Sequence, residues 1–513
     1  MFAIVLATLS LLGSALLLVC TPWGIGLSPD SAMYIGGARG LIAGRGYTMP
    51  VENNEYRPVA TYTPAYSAFI AAVSLFGPAP LRAARYAQAI LMAVNIALAG
   101  TVIYIVGARR AVGPALFGAM LMLAAPDMLR IHSYAWSEAL FVLLVMATAA
   151  TLAWHIARPR ILTLLACGVL LGLIFLTRYM GLAYVIAASG SILLFARVSW
   201  LRRLRDILVL GAVSGLPVIG WAIRNRMLGR DAAARPIMWH PATREHFLFG
   251  VQSLGKWFVP EEGRTLPAGV WAVVAAALAA AFYLWLSRRQ RTGSQSPSDS
   301  GGLPCRPIVP LMMAFWIIVY LLSVIAGISF VDYTTQMNHR ILSPALACAI
   351  IDACVLFTSL SSRWRTVLVA FGVALMVQYA FASAAYVNHA RDMGIGYAAK
   401  MWRESATLRA VHRLPRDKII YTNAWDVIDL FDLRPSRSLP ASINGVTGRV
   451  NPDYALAMKS IGADVASRGA VIVLFRKLNG RPQMPNEQML AAAMPLTRVR
   501  TLSDGVILGA PVP

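Results

Sequence analysis

Long apolar stretches separated by short polar ones run from the first residues to about position 388. A bilayer core takes about 20 apolar residues per helix. Eleven stretches meet that need: 3–26, 86–107, 113–128, 137–157, 161–177, 180–197, 207–224, 267–287, 307–329, 341–358 and 366–387. The first has no basic n-region, since Arg39 is the first basic residue, and no small-residue cleavage site follows it. It is therefore expected to be a retained span, not a removed signal peptide. Pro64–Gly77 is apolar over only 14 residues, a length that suits an interfacial or re-entrant helix. After residue 389 the pattern changes. Lys418–Tyr421 and Ala470–Phe475 read as buried strands, and 396–413, 452–467 and 485–493 as helices. Alternating helix and strand predicts a small α/β domain. The expected architecture is an α-helical polytopic membrane bundle over 1–388, with about 11 transmembrane helices and interfacial helices in the first outer loop. A soluble α/β domain follows over 389–513.

Composition narrows the class. The 513 residues are 58% hydrophobic and 13% charged, with mean hydropathy +0.61. A soluble domain is about 25% charged, so a water-soluble enzyme is excluded. The net charge of +23 does not point to nucleic acid, because the basic residues lie between apolar runs. If Pro64–Gly77 does not cross, Arg109/Arg110, Arg158/Arg160, Arg202/Arg203/Arg205, Arg288/Arg289/Arg291 and Arg363/Arg365 all fall in short loops on one side. The positive-inside rule then puts the N-terminus in the cytoplasm. The segments 27–85 and 225–266 and the C-terminal domain lie outside. The polar stretch Arg291–Gly302 reads as a linker. The five cysteines have neither zinc-site nor redox spacing.

Polar residues gather at the outer face. Asp30 falls in the first turn of a helix opened by Ser28-Pro29, where a carboxylate is favoured; a plain cap and a catalytic acid are equally open readings of that segment. Tyr34 lies four residues on, on the same helix face. Arg57, Tyr62 and Tyr66 follow, suited to an anionic headgroup or to an ordinary aromatic belt. His132, Trp136, Ser137 and Glu138 sit between the third and fourth spans. Arg178 follows the fifth, Arg224 the seventh, and His339-Arg340 precede the tenth. Charges beside apolar spans are costly, and several cations on one face favour an anion site. His132 and His339 lack metal-ligand spacing, and Asp352 inside the tenth span reads as a structural polar contact.

The ordered set resembles a family. Asp30 and Tyr34 come first, then Arg39-Gly-Leu-x-x-Gly-Arg-Gly-Tyr47, Tyr62-x-Pro-x-Tyr66, Ser137-Glu138, Thr177-Arg178-Tyr179, and His339-Arg340 with Pro344. Tyr421-Thr422-Asn423, Asp426, Leu433-Arg434-Pro435 and Leu439-Pro440 complete it. This chain resembles, over roughly its whole length, the GT-C membrane glycosyltransferases of the protein-mannosyltransferase and aminoarabinose-transferase-like superfamily. The resemblance implies a sugar donor on a polyprenyl phosphate and Asp30 as catalytic base. Aminoarabinose transferases of the superfamily carry Lys before a Pro-Pro step. Here Thr63 and Ala65 flank Pro64, so that lysine contact is not carried over, and Arg57 is the candidate substitute.

The residues themselves agree with that chemistry. An outer-facing site has no supply of cytoplasmic nucleotide sugars. Transfer from a phosphate needs one base and cations for the departing phosphate. Glycoside hydrolysis needs two matched carboxylates, and only Asp30 with Glu138 is placed for that. The expectation is an inverting glycosyltransferase of the cytoplasmic (inner) membrane, acting at its outer face on a lipid, glycan or protein acceptor. Asp30 is the base, Arg57, Arg178 and Arg340 contact the donor phosphate, and Tyr34, Tyr62, Glu138 and His339 position the acceptor. No cofactor is required, and a divalent metal is left open. The competing readings are a transporter or lipid flippase, which should keep charges near the midplane, and a scaffold presenting the C-terminal domain.

Overall fold

The computed structural model describes residues 1–50, 56–107, 111–229, 237–259 and 308–511, except positions 359, 361, 433, 435, 445–447, 477, 479, 480 and 482. The membrane part comprises α1 (Phe2–Cys20), α4 (Pro80–Gly107), α5 (Val112–Ala124), α6 (Pro126–Ser133), α7 (Glu138–Ala157), α8 (Ile161–Thr177), α9 (Leu182–Phe195), α10 (Trp200–Met227), α12 (Ile308–Phe330), α13 (His339–Phe357) and α14 (Ser362–Met393). The segments between the spans add α2 (Pro29–Ile42), α3 (Ala65–Ser74) and α11 (Arg244–Gly255). Among the described residues seven helices are long and apolar enough to cross a membrane, or eight if α5 and α6 form one span bent by 55°. α8 and the helical stretch Tyr179–Phe195 are shorter apolar helices. Each expected span falls on a helix except 267–287, which lies outside the described residues.

The bend between α5 and α6 was not anticipated: 113–128 reads as one continuous apolar run. Its cause is Pro126, which disfavours the helical region for the residue before it. Ala125 accordingly sits at φ −62°, ψ 121°. Small residues let the central helices approach closely. Ala99 on α4 and Ala115 and Ala119 on α5 are fully buried, alongside Trp316 on α12. α1 and α14 keep much of their apolar surface exposed, as helices facing lipid do.

The segment between α1 and α4 folds back onto this bundle. Ser28 is extended and Pro29 opens α2, and the Ser31 hydroxyl oxygen accepts from the Ser28 N–H at 3.1 Å. The antiparallel hairpin β1 (Thr48–Pro50) and β2 (Tyr56–Pro58) lies against α2. Gly40 allows that approach: a Cβ there would stand 2.2 Å from the Thr48 carbonyl oxygen. Arg224 donates to the carbonyls of Val59 (2.9 Å) and Tyr47 (3.0 Å), and Tyr179 donates to that of Ala60 (2.9 Å). α3, within the expected interfacial stretch, has ten residues and is too short to cross.

Beyond α14 come α15 (Lys400–Arg403), α16 (Ala406–His412), β3 (Ile420–Thr422), α17 (Trp425–Asp432), β4 (Arg437–Ser438), α18 (Tyr454–Arg468), β5 (Val471–Phe475), α19 (Glu487–Ala493), β6 (Thr497–Leu502) and β7 (Gly505–Gly509). The sheet order is β4-β3-β5-β7-β6, parallel across β4-β3-β5 and antiparallel thereafter. The expected helix at 396–413 is two helices, divided at Ser405, whose hydroxyl accepts from the Leu408 N–H. α17 and the β6–β7 hairpin were not anticipated, and β6 is largely exposed. Alternate residues of the sheet serve two cores. Ile472, Leu474, Val506 and Leu508 pack with Met458, Ile461 and Val465 of α18. Val471, Val473, Phe475 and Ile507 share a core with Ala32, Tyr34, Ile35 and Ala38 of α2. Extended Gly26–Leu27, just ahead of α2, is held on both sides. Gly26 donates to the Ser133 carbonyl at 2.8 Å, and Tyr397 donates to the Leu27 carbonyl at 2.9 Å.

Gly40→Ala should force the Thr48 carbonyl to move and cost about 1–3 kcal/mol. Gly113→Ala, with open space around its Cβ position, should be neutral or slightly stabilising. Thermal unfolding in detergent compares the two; equal effects would contradict the packing of the hairpin on α2.

Candidate functional site

Four helix ends meet at one face of the bundle. Asp30 stands in the first turn of α2, Glu138 opens α7, Arg178 follows the last residue of α8, and Arg340 is the second residue of α13. Carboxylates suit helix N-termini and a cation suits a helix C-terminus. Arg340 is the exception, a cation at an N-terminus, and the two acids compensate it. Asn338 fixes that end, its side-chain oxygen accepting from the N–H groups of Arg340 and Ile341.

The guanidinium of Arg340 bonds Asp30 Oδ2 at 2.7 Å and Glu138 Oε1 at 2.7 Å. Arg178 bonds the same Glu138 oxygen at 2.6 Å and Ser137 Oγ at 3.2 Å. The Tyr62 hydroxyl donates to Asp30 Oδ1 at 2.8 Å. The Tyr34 and Ser137 hydroxyls are 2.9 Å apart. Two carboxylates and two guanidinium groups leave the cluster neutral. Glu138 is 1% exposed, whereas the Asp30 side chain keeps 26%. Asp30 is thus the acid that a substrate can reach. Glu138 Oε2 is buried without a partner among the described residues.

Burial pushes the Asp30 carboxyl up, but the Arg340 guanidinium and the Tyr62 hydroxyl outweigh it and hold the group below the usual carboxylate range. Burial raises the Tyr34 hydroxyl to about 12, so it stays neutral. For Arg178 the loss of solvation is outweighed by the Glu138 charge, and its guanidinium is held above its ordinary value.

The structure therefore brings together Asp30, Tyr34, Tyr62, Glu138, Arg178 and Arg340 from the expected set. Tyr34 shares a helix with Asp30, but its hydroxyl meets Ser137 instead. Arg57 is exposed on β2 and is not among the groups that bond Asp30 or Glu138. His339 flanks the cluster, its ring 6.4 Å from that of Trp136. Trp136 was read only as one of the polar-face residues, yet it is central. Arg340 lies over its ring at 4.0 Å, Tyr134 stacks on it at 4.1 Å, and its Nε1 donates to Ser28 Oγ at 2.8 Å. The available signal was a Trp-Ser-Glu run opening a span on the arginine-rich face. A cavity of about 1160 Å³ adjoins the cluster, with Trp136, His339, Arg130, Lys256 and Tyr386 in its lining. Among the described residues no group of three or more His, Cys, Asp or Glu could hold a metal ion. His132 is fully buried and bonds the Met128 carbonyl and Asn95.

No family model matches the sequence, and no curated protein does. Solved structures do match in shape. ArnT from Cupriavidus metallidurans bound to undecaprenyl phosphate is 15% identical, with a TM-score of 0.60 over 98% of both chains. The same protein in its apo state is also 15% identical and gives 0.61 over 100% of this chain and 99% of that one. The archaeal oligosaccharyltransferase AglB from Archaeoglobus fulgidus, in complex with an inhibitory peptide and a dolichol-phosphate, is 12% identical. It gives 0.51 over 92% of this chain and 69% of its own. The chain has the fold of these proteins: the GT-C-type helical membrane bundle, with a small C-terminal sheet.

Removing one partner of a buried ion pair strands the other, at a cost of about 3–5 kcal/mol. Arg178→Met leaves Glu138 with Arg340 alone and the cluster with one negative charge in excess, and should cost a part of that in thermal unfolding. Adding Glu138→Gln should recover much of it, because the excess charge is gone. Additive losses in the double variant would show that the pair is not coupled.

Proposed function

We propose that the chain is an inverting glycosyltransferase that moves a hexosyl or pentosyl group from a polyprenyl-phosphate carrier to an acceptor. The observation that carries this reading is a single reachable carboxylate, Asp30, placed against Arg340 and close to Arg178. A donor phosphate needs cations where its charge grows, and the acceptor needs one base. Asp30 takes the acceptor's proton as its nucleophilic atom attacks the anomeric carbon. The bond to the phosphate oxygen breaks on the opposite face, and the carrier leaves as a phosphate monoester. Arg178 and Arg340 stabilise the departing phosphate, while Tyr34, Tyr62, Glu138 and His339 position groups around it. Arg57, exposed on the hairpin beside α2, captures the phosphate from outside the cluster.

Ligands of the similar folds support the donor class, since ArnT was solved with undecaprenyl phosphate and AglB with a dolichol-phosphate. Arrangement of charge supports a transferase over a transporter: the acids and arginines of the cluster stand at helix ends, not at mid-span. Glu138 is held between two arginines and is 1% exposed, so it does not face a substrate as the second carboxylate of a hydrolase would. The arginines at 158, 160, 202, 203 and 205 lie at the helix ends opposite the cluster, which supports the reading that the cluster and the C-terminal domain (389–513) face outward from the cytoplasmic membrane. The acceptor is a lipid, a glycan or a protein.

With purified protein, transfer should proceed from polyprenyl-phosphate sugars and not from nucleotide sugars. Asp30→Asn should lower the rate by about 10²–10⁴-fold with the melting profile preserved. Turnover only with nucleotide sugars would overturn the donor assignment, and a fully active Asp30→Asn would remove Asp30 from the chemistry.

A further inference from the structure

The cluster is neutral before any ligand arrives. Asp30 and Glu138 balance Arg178 and Arg340, and Arg340 spends its bonds on both acids. A phosphate entering this site meets cations that are already committed. Arg178 is fastened to the buried Glu138, and that acid keeps Arg340 near by its second bond. The bond to the part-exposed Asp30 is the one that can be given up without stranding a charge in the interior.

Resting on the transferase reading above, we propose that Arg340 is a charge hand-over device: it leaves Asp30 for the carrier phosphate as Asp30 takes up the acceptor's proton. The charge count closes. A phosphodiester donor brings one negative charge to the neutral cluster. After transfer the carrier is a monoester with a second negative charge, and Asp30 is neutral because it holds the proton. Total charge is unchanged, but one unit has moved from the Asp30 carboxylate to the phosphate, and Arg340 follows it. Glu138 is the pivot of that movement and the Trp136 face its track, since the guanidinium lies 4.0 Å over the ring. Tyr62 holds the other Asp30 oxygen at 2.8 Å and so shares the carboxylate's charge with Arg340. Each event assists the other: protonating Asp30 frees the cation that the leaving phosphate needs, and the growing phosphate charge draws off the cation that made Asp30 a weak base.

Binding of undecaprenyl phosphate to the full-length protein in detergent tests this without turnover, with undecaprenol as the uncharged control. Asp30→Asn mimics the protonated acid and should bind undecaprenyl phosphate about tenfold more tightly than the wild type, the size of one charge-assisted hydrogen bond. Tyr62→Phe leaves more of the carboxylate charge on Arg340 and should bind it several-fold more weakly. Undecaprenol should bind all three alike. Equal or weaker binding by Asp30→Asn overturns the hand-over while the donor reading stands. Loss of binding by the wild type itself overturns both. If Asp30→Asn shows no cooperative melt, Tyr62→Phe decides, and unchanged or tighter binding there overturns the hand-over. Equal changes with undecaprenol would also overturn it, since they would not come from charge.

Discussion

One guanidinium shared by two carboxylates governs this site. The Arg340 guanidinium bonds Asp30 and Glu138 at once. Buried charge is tolerated only when paired and hydrogen-bonded, so the four helix ends that carry these groups are obliged to converge. Helix α2, the consecutive pair α7 and α8, and helix α13 come from distant parts of the chain, and apolar packing alone does not specify how their ends are aligned. The charge pairing does. It also sorts the two acids: Glu138 is enclosed between two arginines, while Asp30 keeps a share of its surface open.

The surroundings are built to hold that alignment. Trp136 supports Arg340 from below and ties its own loop to the cap of α2 through Ser28. Arg224 and Tyr179 pin the hairpin by the carbonyls that flank it. The glycine at position 40 lets that hairpin sit directly on α2. Near the other end of the helix, Arg39 reaches the carbonyls of Asp429 and Leu430 at 3.3 and 3.4 Å. α17 covers the remaining face. α2 is therefore a short helix, mostly enclosed, whose first turn is presented to the site by everything packed around it.

Much of this was readable from residue pattern alone, because lipid leaves long apolar runs few alternatives to a helix. Ser28-Pro29 placed Asp30 in a first turn, and the Arg-rich short loops assigned the polar ends to one side. What pattern could not supply was pairing. Nothing local to Arg178 or Arg340 says which acid each will meet. Arg57 shows the converse, since closeness in sequence to Tyr62 did not bring it to Asp30. The kink at Ala125–Pro126 was hidden because the run is apolar on both sides of the break. The C-terminal misses have the same root. β6 is stabilised by pairing with β7, not by a buried face of its own, so it carries no alternation to detect. Trp136 was visible as a residue but not as a platform, because a cation over a ring is a long-range contact.

The extended Gly26–Leu27 segment lies between Ser133 and Tyr397, and this has a consequence for how the molecule is made. Ribosomes deliver chains from the N-terminus, and early parts fold as they emerge. Here the helix bearing Asp30 is synthesised long before the parts that give it its backbone clasp and apolar cover, Tyr397 and α17. Membrane insertion of the helices cannot finish the site. The segment from Gly26 through α2 must wait, half-dressed, until residues made much later return to close over it.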